Sequence, residues 1–213
     1  TGNVPTSTAH WDLFVAGSGG IWNAGLSLGS ANQEIRVNSG GTALEFHTPS
    51  SGGILQVKST IKTDTQSITS NFPNFADISG LSVDITPSSA SNKILIEVNL
   101  NVDCSTGYRN GAKIIRTVSG SSAVHIGNAT SFSNRTGVTF GCGIGSPNGL
   151  HAHSFRMLDN PNTTNAVNYK IAVGTESTGG NIVINRDLND GDDLSHPRGS
   201  STITAMEVAS GVL

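Results

Sequence analysis

No stretch of this sequence approaches the roughly 18 consecutive apolar residues that a membrane span needs. Charge is scarce as well. Twelve Lys and Arg against 15 Asp and Glu leave a net charge of −3 with no basic stripe, so the electrostatic footprint of a nucleic-acid binder is missing. Cysteine is limited to Cys104 and Cys142, too few for a disulfide scaffold. One cross-sheet disulfide or two buried thiols would fit, and the thiols fit better. The chain begins at Thr1 with neither an initiator Met nor a secretory pattern, which points to a fragment or a processed form.

In place of charge and helix formers there is turn chemistry. Ser, Thr, Asn and Gly number 28, 21, 20 and 26, together 95 of the 213 residues. Such a mixture is poor in helix formers and rich in turn formers. Low charge and many alternating Val, Ile, Thr and Leu residues argue for short strands rather than disorder. The expected fold is all-β, with no convincing helix.

Residues 1–53 are broken every few positions by Gly, Ser, Pro or Asn, and their apolar residues (Trp11, Leu13, Phe14, Ile21, Trp22, Leu26, Leu28) arrive singly or in pairs. Within them "IRVNSGGTALEF" (35–46) reads as a hairpin with Ile35, Val37, Leu44 and Phe46 on one greasy face. A lone hairpin is marginal in water, and no neighbouring segment looks able to cover it. Cyclic symmetry offers a cover: three identical chains can wrap small β-elements around a common axis. Residues 1–53 are therefore expected to form an extended trimerisation segment, ending in a hinge at "TPSSGG" (48–53).

From Ile54 to Leu213 the texture changes to turn-bounded strands, expected at 54–62, 75–86, 93–104, 112–118, 123–127, 136–142, 150–158, 166–174, 181–186 and 201–209. In the clearest, Ile94, Ile96, Val98, Leu100 and Val102 face one way, with Leu95, Glu97, Asn99, Asn101 and Asp103 opposite. About ten strands with hairpin-length links predict an antiparallel sandwich or barrel.

Several segments carry a resemblance: "VPTSTAHWDLFVAGSGG", "LSLGSANQEIRVNSGGTALEF", "ILQVKSTIKTDTQSI", "FADISGLSVDITPSSASNKILIEV" and "INRDLNDGDDLSHPRGSSTITAMEV". In this order, over nearly the whole chain, they resemble bacteriophage tail fibres, nearest to those of phages of marine cyanobacteria. "GLSVDITPSSASNKILI" and "RGSSTITAMEV" are the most specific pieces. The resemblance implies a homotrimer, with a narrow N-terminal stalk and a jelly-roll-like C-terminal tip. It also implies a place in the virion among other tail and baseplate proteins, and a host-surface glycan or protein as receptor.

The search for chemistry yields little. "HAH" puts His151 and His153 on one face of a strand about 6–7 Å apart, a spacing that could hold a metal. It occurs once and in a globular part, so solvent- or glycan-facing histidines are the plainer reading. "DLNDGDDLSH" (187–196) is acidic enough for a calcium loop but fails the EF-hand spacing. There is no Gly-x-Ser-x-Gly elbow, no carboxylate pair in a cleft-forming context, and no glycine loop leading into a helix. The expectation is a non-enzyme without cofactor.

Recognition in β-sandwiches is carried by loops. In "CSTGYRNGA" Tyr108 offers a flat ring, Arg109 a planar fork and Asn110 an amide. "SFSNRTG" repeats the theme with Phe132, Asn134 and Arg135, although Phe132 could equally be tucked into the core. The acidic loop adds Asp190 and Asp192. Arg186 and Arg198 are expected to pair with Asp159 or the acidic loop across subunits. A monomeric carbohydrate-binding or adhesin module is the alternative to the fibre tip.

Overall fold

The structure is a computed structural model that describes residues 29–48, 53–105, 108–144 and 149–212. The chain divides into two compact units, Thr1–Gly52 and Gly53–Leu213. In the first, β1 (Glu34–Val37) and β2 (Leu44–His47) form the expected hairpin, with Ile35 opposite Phe46 and Val37 opposite Leu44. Its turn is built by Asn38, whose Oδ1 accepts the Thr42 backbone N–H at 2.9 Å, and Gly41 takes a left-handed φ of 67°. Ile35 and Val37 remain 50% and 58% exposed, while Leu44 and Phe46 are half-buried. Trp11, Trp22 and the other apolar residues before Gly29 lie outside the described residues.

The second unit is a two-sheet sandwich. Its strands are β3 (Ile54–Lys62), β4 (Gln66–Ile68), β5 (Ala76–Ile85), β6 (Lys93–Cys104), β7 (Arg109–Val118), β8 (Val124–Ile126), β9 (Phe140–Ile144), β10 (His151–Asp159), β11 (Val167–Thr175), β12 (Ile182–Ile184) and β13 (Ser201–Val208). A 3-10 turn over Ser210–Val212 is the one helical piece among the described residues. All strand pairings are antiparallel.

Three strand lines are interrupted. β12 and β13 both pair with the same side of β6, β3 and β4 continue one another beyond them, and β8 and β9 share one side of β7. Eight lines remain, ordered one-eight-three-six in the first sheet and two-seven-four-five in the second. That order is a jelly roll.

β6 sits at the centre of the first sheet and alternates as its sequence requires. Ile94, Ile96, Val98, Leu100 and Val102 are all at most 1% exposed and meet Ile78, Leu81, Val83, Ile85, Tyr169 and Ile171 of the second sheet. Each such side chain contributes roughly 1.5–3 kcal/mol by burial. Asp103, placed on the polar face by the alternation, is 2% exposed. The segment between β12 and β13 lies over it, and Asp103 Oδ2 accepts the Leu188 N–H at 3.1 Å.

Candidate functional site

Two interruptions carry the features of interest, because each releases a long excursion from the middle of a strand line. The first, 127–139, leaves the second sheet between β8 and β9. Ala129 N–H donates to Val138 O at 3.0 Å, and Phe132 and Arg135 bond each other's backbones at 3.2 and 2.9 Å. Thr139 Oγ1 closes the base by donating to Ile126 O at 3.0 Å and accepting the Ile114 N–H at 3.1 Å. A Cβ on Gly137 would sit 1.9 Å from Ala129 O, so the crossing demands glycine. The result is a small β-finger with Phe132 at its tip. That ring is 72% exposed rather than tucked into the core, and Asn134 and Arg135 are exposed beside it.

The second excursion, 185–200, leaves the first sheet between β12 and β13 and is knotted to it. Asn185 Nδ2 donates to Lys62 O and Asp64 O at 2.8 and 3.0 Å, while its Oδ1 accepts Ser201 Oγ–H at 2.6 Å. Asp187 and His196, both nearly buried, close the loop on themselves through Oδ2 and Nδ1. The bond to Asp187 outweighs burial and lifts the His196 imidazole above its ordinary value, and Asp193 and Asp190 add to the lift. His196 in turn holds the Asp187 carboxyl below its usual range.

Asp190 bonds Arg198 Nη2 at 2.8 Å and faces Arg186 Nε at 3.8 Å. The expected pairing of these arginines with the acidic loop is present, and it forms within one chain. Both are satisfied within their own chain, because the excursion folds back far enough to bring Asp190 to them. Asp159, the other suggested partner, is taken by Arg116. Asp192 is exposed and makes no ion pair among the described residues. Leu194, between the acidic pair and Ser195-His196, is fully exposed. Sequence reasoning missed it; a lone Leu inside a run of turn formers was the available signal.

The third candidate, at Tyr108, Arg109 and Asn110, is less open. Arg109 donates to both Glu176 oxygens at 3.2 Å, once from its backbone and once from Nη1. Those bonds hold the Glu176 carboxyl below its ordinary range. Tyr108 is half-buried, with its hydroxyl against Gly179. Asn110 is 7% exposed and is no ligand contact, because it falls on the same side of β7 as Ala112 and Ile114.

His151 and His153 lie 6.5 Å apart between ring centroids, as their spacing predicts. His153 is not solvent-facing: it lines up with Phe155 and Met157 on the core side of β10, and its Nε2 is buried without a hydrogen-bond partner. Burial first, and then the neighbouring His151, depress its basicity. Among the described residues no three His, Cys, Asp or Glu side chains gather as a metal would require. Cys104 is buried, and the Cys142 side chain lies outside the description.

No family model matches the chain, and no curated protein does. The solved structures to which this chain shows similarity include a chain of infectious bursal disease virus, Gx strain. It is 16% identical over 89% of this chain and 45% of that one, at a TM-score of 0.40. A chain of the Gt strain is 15% identical over 80% and 41%, at 0.36. The VP2 subviral particle of the same virus is 14% identical over 84% and 43%, at 0.37. This chain thus spans less than half the length of those viral chains. Likeness at this level carries nothing further to this chain.

Proposed function

We propose that this chain is a non-enzymatic virion component, the distal part of a homotrimeric phage tail fibre whose jelly-roll unit binds a glycan or protein on the host surface. The observation that carries the reading is the pair of excursions at 127–139 and 185–200. Both are braced by their own hydrogen bonds, and each lifts one large apolar side chain, Phe132 or Leu194, into solvent. A rigid loop that displays an apolar tip loses little entropy on binding and gains desolvation, the usual economy of a contact hot spot. The resemblance of the chain's segments to tail fibres supplies the virion context. The open apolar face of the β1–β2 hairpin supports assembly with identical chains. Three copies on one tip, and several fibres on a particle, raise weak single-site binding by effective concentration.

Light scattering and adsorption test this directly. A stable species of about three times 21.9 kDa that binds host cells is expected. A clean monomer that binds isolated glycan would instead make the chain a free-standing carbohydrate-binding module. Release of reducing ends from host polysaccharide would overturn the non-enzymatic reading.

A further inference from the structure

The two outer faces of the sandwich are unlike. On the second sheet the charges are matched within the chain: Lys170 pairs with Asp77, Asp84 accepts from Asn168 at 2.9 Å, and Lys113 lies 4.2 Å over the Phe75 ring. Such a face is content in water.

The first sheet is different. Its registers line up Val57, Met206, Leu95 and Leu158 in one row across β3, β13, β6 and β10. Val57 and Leu158 are 54% and 39% exposed. The next row is Ser59, Thr204, Glu97 and Arg156, and the one after begins with Ile61, which is 60% exposed. Glu97 and Arg156 stand directly opposite each other, where opposite charges ordinarily pair. They make no ion pair or hydrogen bond, with each other or with any other described side chain.

We propose that this outer face, formed by β3, β13, β6 and β10, is the contact between copies of this chain, a reading that rests on the trimer proposed above. Rows that cross the strands at right angles become layers when three copies stand around an axis along the strands. The four apolar residues then form one closed layer, and Glu97 of one copy meets Arg156 of the next in the layer beside it. The face thus carries both halves of a charge match and needs no second kind of partner. Four strands about 4.8 Å apart and nine residues rising about 3.4 Å each give a face of roughly 600 Å². Around the axis that area is divided between the two neighbours of each copy.

The test uses the full chain with Val57→Asp and Leu158→Asp together. Both side chains are exposed in the single copy, so the fold should keep its circular dichroism. The species is expected to fall from about three to about one times 21.9 kDa. Ser79→Asp, on the outer face of the second sheet, is expected to stay trimeric. Glu97→Arg alone should raise the dissociation constant at least about tenfold, because it sets two cations face to face, and Glu97→Arg with Arg156→Glu should recover it. Wild type that is itself monomeric overturns the trimer and this inference together. Wild type that is trimeric, with the Val57/Leu158 variant equally so, overturns only the choice of face. Retained trimers that have lost adsorption to cells would make the face a receptor surface and overturn the proposal too.

Discussion

Ser88 holds Glu207 twice, its backbone N–H and its hydroxyl both donating to Glu207 Oε1 at 2.7 Å. Asn92 Nδ2 adds a third bond to that oxygen at 2.7 Å, and Gln56 Nε2 bonds Oε2 at 2.6 Å. The carboxylate is fully buried and has no cation beside it among the described residues. Burial pushes its pKa up, but the donors outweigh burial and hold it below the ordinary 4.5. "GLSVDITPSSASNKILI" and "RGSSTITAMEV", the two most distinctive segments of the sequence, meet at this knot. The knot closes the jelly roll at the β5–β6 turn.

Ser88→Ala and Asn92→Ala should each cost about 1.5–3 kcal/mol, the usual worth of a hydrogen bond to a charged group. Glu207→Ala should cost more, since it orphans the donors together. With a depressed folded pKa, the contribution of Glu207 is complete above about pH 4.5 and fades as pH falls through the lower folded value. Urea unfolding midpoints taken from pH 7 down to pH 3 read both effects. Midpoints indifferent to Ser88→Ala would deny the knot its role.

Asp159 is the second internal knot. It accepts Arg116 Nη1 at 2.9 and 3.0 Å and the hydroxyl of the fully buried Tyr169 at 2.7 Å, tying β10 to β7 and β11. Burial, and then the bond to Asp159, push the Tyr169 hydroxyl far above its ordinary pKa. Tyr169→Phe should cost about 1.5–3 kcal/mol, and Asp159→Ala more, because the half-buried guanidinium loses its counter-charge. Alkaline titration followed at 295 nm should show the Tyr169 phenolate only as the protein unfolds. A phenolate that forms in the folded state would contradict this.

The strands were legible in the sequence where one rule decided them. β6 runs over the expected 93–104, and its five inward residues follow from alternation against a single core. β3 likewise runs over its expected 54–62, and the other eight expected strands are present with ends moved by a few residues; β9 moved furthest, because Gly137 and Val138 belong to the finger. β4 was missed, for three residues cannot show a period. The candidate site was legible only in part. Phe132 could be named from the sequence, but its exposure depends on the Ala129–Val138 crossing. Asn110 was misjudged because β7 begins at Arg109, three residues earlier than its apolar run suggested. Arg186 and Arg198 found partners inside the chain because a 16-residue excursion returns to its own strand line, which no local pattern announces.

The Asp187–His196 clamp gives the second excursion a pH window. The imidazole pKa is raised by folding, so its contribution is complete below the ordinary value near 6.5 and is lost as pH climbs through the higher folded one. Asp187 is depressed, so its share persists from neutral pH down and is lost only as pH falls through its lowered value. Backbone hydrogen exchange across 185–200 should therefore be slowest at mildly acidic pH and quicken, relative to the rest of the domain, on going alkaline. His196→Ala should remove that extra pH dependence. Equal behaviour of wild type and His196→Ala would show that the clamp does not hold the loop.

Phe132 and Leu194 separate recognition from folding. Neither side chain is packed, so Phe132→Ala and Leu194→Ala should leave unfolding free energy within about 0.5 kcal/mol of wild type. If they are the apolar anchors, each should weaken attachment to host cells by about tenfold or more for a single tip, the ~1.4 kcal/mol or greater expected of a hot-spot truncation. Arg109→Ala, whose guanidinium is already engaged by Glu176, should weaken attachment less. The comparison is made on cells with purified chain, with melting curves alongside. Attachment unchanged in both apolar variants and lost in Arg109→Ala would move the receptor contact to the start of β7. The two braced excursions would then be structural ornaments of the strand lines they interrupt.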